Sequence, residues 1–236
     1  MQTALARYRV AERSDGSEFR RKARLLASLW REEQGLAPGM HHPRGKAGSS
    51  QPRVLGSRLD PHQARAGRNF LTPAILRQVR KRLAEPQAYQ LIQEERLWGD
   101  LLSSQPMCFN LFGELAADLE LATRAAQVWW PGRVAQVTEV RFEWSPGRRE
   151  RRYLGNRTAF DAVLLHTTPT GGRGFIGIET NTTSVRRGPP GRVPSGWRGM
   201  WRSPSAAASS DRSGGRRWSR RAWSRSGWII CWPCRC

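Results

Sequence analysis

At 236 residues, with 38% hydrophobic and 25% charged side chains, the chain has room for one medium domain and lies toward the polar end of the globular range. Its 40 Lys and Arg against 19 Asp and Glu leave a formal charge of +21, so the expected partner is a polyanion, nucleic acid first. No stretch approaches the roughly 20 apolar residues of a membrane span. The opening residues MQTALARYRVAERSDG lack the apolar run of a signal peptide, and a cytoplasmic protein is expected.

In chain order, Ser17 to Gln34 reads as an amphipathic helix, with Phe19, Ala23, Leu26 and Trp30 at helical spacing and Asp15 with Glu18 as a capping box. Residues 1–35 are thus an N-terminal helical segment. Residues 36–67 mix Gly, Pro, Ser, His and Arg without period and are expected to form a mobile linker; His41 and His42 fall here and are not read as metal ligands. Thr72-Pro73 starts a helix through Ile75, Leu76, Val79 and Leu83. A second helix follows Pro86 through Tyr89, Ile92 and Leu97. After SSQPMCFNLF and Gly113, a third runs from Glu114 to Trp130.

The period then changes to two. Val134 to Phe142 predicts a strand closed by Ser145-Pro146-Gly147, Arg157 to His166 a second, and Arg173 to Thr180 a third, the last two joined through Pro169 to Gly172. Helices leading into strands predict a mixed α/β core over 68–180. Cys108 is expected to be a small buried hydrophobe. Cys231, Cys234 and Cys236 imitate half a zinc or redox site, with no second pair to complete a ligand set.

Asp161 lies in the second strand and Glu179 ends the third. A hairpin between them would bring the two carboxylates side by side, where a hard divalent ion such as Mg²⁺ could be held. The competing reading is a pair of solvated strand-end carboxylates. Side chains two apart on a strand share a face, so position 181 belongs to the same site; a lysine would suit phosphodiester chemistry there, and the residue is Asn181.

The strings GRNFLTPAI, SSQPMCFNLFGEL and FEWSPGRRERRYLGNRTAFDAVLLHTTPTGGRGFIGIET resemble a bacterial branch of the PD-(D/E)XK nuclease-like superfamily. The resemblance implies a restriction-endonuclease-like core, a mixed sheet flanked by helices, and a Mg²⁺-dependent nuclease acting on DNA. Asp161 and Glu179 would be the metal ligands, and Asn181 stands where the catalytic Lys belongs. A helix carboxylate, Glu95 or Glu114, would join them, and Arg148 and Arg157 would touch nucleic acid. The alternative is a basic nucleic-acid-binding module without catalysis.

Residues 181–236 hold 12 Arg, no Lys, one Asp and no Glu, a composition of their own. A one-base deletion explains the change. AAG TAC CAC GAG CGT encodes Lys-Tyr-His-Glu-Arg; without the G of AAG it reads Asn-Thr-Thr-Ser-Val, the residues that begin at Asn181. Restoring the frame between Ala222 and Cys236 permits Leu-Glu-Gln-Ile-Trp-Leu-Asp-His-Leu-Leu-Ala-Leu-Ser-Met, an amphipathic helix. The expectation is a frameshifted, disordered Arg/Trp-rich tail that leaves the sheet without its later elements.

Overall fold

A computed structural model describes residues 2–10, 18–42, 51–86, 90–150, 158–180 and 227–234. In chain order these form α1 (Gln2–Arg7), α2 (Glu18–Glu33), β1 (Pro38–His41), β2 (Arg53–Leu59), α3 (Pro61–Arg65), α4 (Pro73–Ala84), α5 (Glu94–Gly99), α6 (Ser104–Ala117), α7 (Leu119–Trp129), β3 (Gln136–Trp144), β4 (Phe160–Thr167), β5 (Arg173–Thr180) and β6 (Gly227–Cys234). The architecture is mixed α/β, with two antiparallel sheets flanked by helices, in keeping with a restriction-endonuclease-like core. No described helix is long and apolar enough to cross a membrane.

The segment expected to be a mobile linker instead carries a hairpin, β1 against β2, followed by α3. Its order comes from polar contacts that no hydrophobic period reveals. Arg31 of α2, 4% exposed, donates from Nε to the carbonyl of Gly56 at 2.8 Å and from Nη1 to that of Leu36, and Arg24 reaches Ser57 Oγ at 2.9 Å. Asp60 then caps α3 by accepting from the amides of His62 and Gln63.

The expected helix after Pro86 is only the short α5, and 87–89 lie outside the described residues. The expected single helix Glu114 to Trp130 is two. α6 starts ten residues earlier, capped by Ser103, and α7 is capped by Asp118, which accepts from the amide of Leu121 at 2.9 Å. Gly113 does not break α6. It packs directly on α4, where an added Cβ would stand 3.0 to 3.2 Å from Ile75.

The larger sheet runs β3-β4-β5-β6, all antiparallel. β4 and β5 join through the expected turn, closed by Gly171 N–H to Thr168 O at 2.9 Å with Gly171 at φ +79. At its far edge Gly227–Cys234 pairs along the whole of β5. The core between sheet and helices holds Ile75, Val79, Leu97, Cys108, Phe109, Phe142, Ala162, Leu164, Ile176 and Ile178, with Phe109 of α6 stacked on Phe142 of β3 at 4.1 Å between centroids. Burying Phe109 fully stabilises the fold by about 2–3 kcal/mol.

Candidate active site

β3, β4 and β5 bring three acids level with one another. Phe142 pairs with Ala162 and Trp144 with Phe160, which sets Glu143 opposite Asp161; Ala162 pairs with Ile178, which sets Glu179 on Asp161's other side. Asp161 and Glu179 are therefore neighbours across the hairpin, as the spacing implied, and Glu143 extends the row onto a third strand.

Local backbone geometry turns the row toward α6. Phe142 faces Phe109 on the helix side, while Arg141 lies over the Trp144 ring at 5.4 Å and Trp144 meets Phe175 at 6.2 Å on the other side. A regular strand would send residues 141 and 144 to opposite faces. Glu143 stands at φ 48, a left-handed conformation uncommon outside glycine, and this resets the alternation. Phe160 similarly crosses to the face of Gly177, where an added Cβ would come within 2.5 Å of its ring, while Asp161 hydrogen-bonds Ser104 of α6. Two successive residues of α6, Ser104 and Gln105, thus answer Asp161 and Glu143. The positive end of the helix supports the negative charge gathered there.

Asp161, 8% exposed, accepts from Thr180 N–H at 2.6 Å and Thr180 Oγ1–H at 2.7 Å, both on Oδ2. Burial pushes its carboxyl above the ordinary range, and the hydrogen bonds from Thr180 and Ser104 pull it back. Glu179 has no such relief: burial first, then repulsion from Asp161 and Glu143, pushes it up to about 8. Glu143 is pushed up to about 7 by burial and by Asp161, against the pull of Gln105, Arg148 and Arg82. Cys108, fully buried beneath, has its thiol pushed well above the usual range by burial and then by the two acids nearest it; it is a core residue.

The other expected site residues fall elsewhere or outside the described residues. Glu95 pairs with Arg58 at 2.8 Å. Glu114 accepts from Thr72 Oγ1 and so braces the N-terminus of α4. On the sheet, the acid level with Asp161 and Glu179 is Glu143. Arg148 is at the site, donating to the backbone carbonyl of Glu143. Asn181 and Arg157 lie outside the described residues. A cleft of about 730 Å³ lies between the hairpin and α5, lined by Met40, His42, Arg58, Arg65, Glu95 and Trp98, and it is separate from the carboxylate row. Its central cation is already matched, Arg58 to Glu95 and Asp100.

Among the described residues, no group of three or more His, Cys, Asp or Glu is arranged as a ready metal cage. The donor set nonetheless suits a divalent cation. Hard carboxylate oxygens, desolvated and mutually repelling, are the environment in which such an ion offsets charge that burial penalises. The period-two pattern from Val134 runs only to Phe142 before Ser145-Pro146-Gly147 closes the strand, so it does not single out Glu143. An acid between Phe142 and Trp144 at the end of a strand paired to that of Asp161 is the signal that could have found it.

The family model of the PD-(D/E)XK nuclease superfamily matches residues 13–187, which include every strand of the carboxylate row and α6. No curated protein and no solved structure matches the chain.

Proposed function

We propose that this chain, which belongs to the PD-(D/E)XK nuclease superfamily, carries the site of a Mg²⁺-dependent enzyme that hydrolyses DNA phosphodiester bonds, impaired in this copy because Asn181 stands in place of the catalytic Lys. The observation that carries the reading is the row Glu143, Asp161 and Glu179, the first two buried and the third half-buried, with the two glutamates pushed to about 7 and about 8. Structural carboxylates are ordinarily paired with cations; acids kept together at this cost mark a functional site.

Asp161 and Glu179 would hold the ion, with Glu143 beside them. Bound there, a divalent ion supplies Lewis-acid polarisation of a phosphate and lowers the pKa of water. The chain's own residues set the stage. Thr180 fixes Asp161 through two hydrogen bonds to one oxygen, which leaves Oδ1 directed away from that clamp. Ser104 and Gln105 orient the acids from the helix side and close that face of the site. Without the amine two residues after Glu179, nothing at that position offsets charge building on the phosphate, a loss that typically costs about 10²–10³ in rate.

The deleted base belongs to the same proposal. The family match ends at residue 187, shortly after the altered codon, and the Arg-rich composition begins at that codon. Resequencing the coding DNA across position 181 tests it directly. The enzymatic test compares the chain as it stands with one whose codon 181 regains its base. The restored chain should cut a labelled DNA duplex only with Mg²⁺ or Mn²⁺ and lose that activity in Asp161→Asn, while the present chain is at least about 10²-fold slower. Cleavage that survives EDTA or Asp161→Asn would sink the proposal.

A further inference from the structure

Beside the carboxylate row stand two arginines that the acids do not account for. Arg82, on α4 and 8% exposed, donates from Nε to the carbonyl of Phe142 at 3.0 Å, and from Nη1 to the carbonyl of Glu85 at 3.0 Å and to Gln90 Oε1 at 2.9 Å. Its Nη2 is buried and has no acceptor. Arg148, in the turn after β3, donates from Nη2 to the carbonyl of Glu143, and its Nε is also buried without an acceptor. The successive carbonyls of Phe142 and Glu143, splayed by the left-handed backbone of Glu143, therefore hold two guanidinium groups next to each other.

Like charges so placed repel, and burial adds to the cost: Arg82 is depressed by burial and then by Arg148, and Arg148 by burial. Glu143 is the carboxylate that acts on both, and it cannot answer both. It is already engaged by Gln105 and repelled by Asp161. Buried guanidinium N–H groups ordinarily find acceptors, so two of them orphaned side by side are short of one anion with several oxygens.

We propose that Arg82 and Arg148 together form a subsite for one backbone phosphate of the bound nucleic acid, adjacent to the carboxylate row. A phosphodiester presents oxygens to two guanidinium forks at once. The inference rests on the nuclease reading only for the identity of the ligand. Arg82 adds a fixed helical anchor to a site otherwise built from strand ends, and phosphate held there would set the register of the strand over the acids.

The experiment is binding of a fluorescent DNA duplex to the full chain in EDTA, by anisotropy over a salt series. Arg148→Gln should weaken affinity about tenfold and reduce the slope of log K against log salt by about one. Arg82→Lys should weaken affinity while keeping the slope, because charge stays and the fork is lost. Arg124→Gln, on the exposed face of α7, serves as a control for charge alone. A duplex series with one uncharged methylphosphonate linkage moved along it should show a position that weakens wild-type binding and has no effect on Arg148→Gln. Because Arg82 also ties α4 to β3, Arg148→Gln is the decisive variant. The subsite is overturned if Arg148→Gln loses no more than Arg124→Gln, or if the linkage effect persists unchanged in it. Cleavage plays no part in these measurements, so a restored chain that binds with this pattern but never cuts would sink the nuclease reading and leave the subsite standing.

Discussion

Around Arg58 the charges are paired, although its Nε is buried without an acceptor: its guanidinium, with 8% of the side chain exposed, meets Glu95 at 2.8 Å and Asp100 at 3.3 Å, joining the hairpin to α5. At the end of β3, β4 and β5 the acids meet hydroxyl and amide groups instead, and among the described residues none of Glu143, Asp161 and Glu179 has an ion-pair partner within 4 Å. The first arrangement ties elements together. The second withholds stability that the same residues could have supplied, and a ligand of opposite charge would recover it.

Breaking the matched region should cost most. Arg58→Ala removes two charge-assisted bonds and leaves Asp100, which also caps the amide of Leu102, without its cation; a loss of about 3 kcal/mol is expected, or some 6–12 °C in Tm. Mn²⁺ binding, followed by calorimetry, should be unchanged. The converse holds for Asp161→Asn: Mn²⁺ affinity falls at least about 100-fold while Tm holds or rises, since a penalised charge is gone. If both variants lost stability and metal binding alike, the contrast between the regions would collapse.

That contrast was only partly legible in the sequence. Asp161 and Glu179 could be placed together because period two in β4 and β5 and the turn between them fix an antiparallel pairing. Glu143 could not, because its contribution depends on a left-handed residue that no hydrophobic pattern announces. Arg58 and Arg31 were hidden for a related reason: a segment held by buried guanidinium groups has the composition of a linker. Gly113, which precedes the helix expected from Glu114, lies inside α6, where its lack of a side chain leaves room for Ile75 of α4. Local signals fixed which elements form; long-range polar contacts decided where they pack.

Glu179 and Glu143 are raised from an ordinary 4.5 to about 8 and about 7, so the folded state holds their protons more tightly than the unfolded chain does. Their stabilising effect is therefore complete below about pH 4.5 and is lost as pH rises toward 8. Metal-free protein should lose several degrees of Tm across that window, and millimolar Mg²⁺ should restore them at pH 8. Glu179→Gln should flatten the slope. A metal-free Tm that rises steadily from pH 5 to 8 would show that the acids are not held together as described.

A smaller effect tests packing behind the row. Gly177→Ala would place a methyl against the buried ring of Phe160, which passes beneath the site to meet Phe175 at 6.1 Å. The ring has little room to yield, and a cost of about 1–3 kcal/mol is expected by thermal melting. An unchanged Tm would mean that Phe160 is free to move.

Thr180→Val should give the smallest change and the finest discrimination. The substitution keeps shape and removes only the hydroxyl; the backbone N–H of residue 180 still donates to Asp161 Oδ2, at 2.6 Å in the wild type. Asp161 loses one of the donors that favour its charged form, so its carboxyl should titrate higher. Proton and metal then compete more evenly for the same oxygens, and Mn²⁺ affinity should fall several-fold at pH 6 and much less at pH 8. Thr168 offers the matched comparison, since its hydroxyl accepts from the amide of Gly172 in the exposed β4–β5 turn. Thr168→Val should cost about 1 kcal/mol or less and leave metal affinity level at both pH values. Equal pH dependence in the two variants would mean that Thr180 braces the strand end without tuning Asp161.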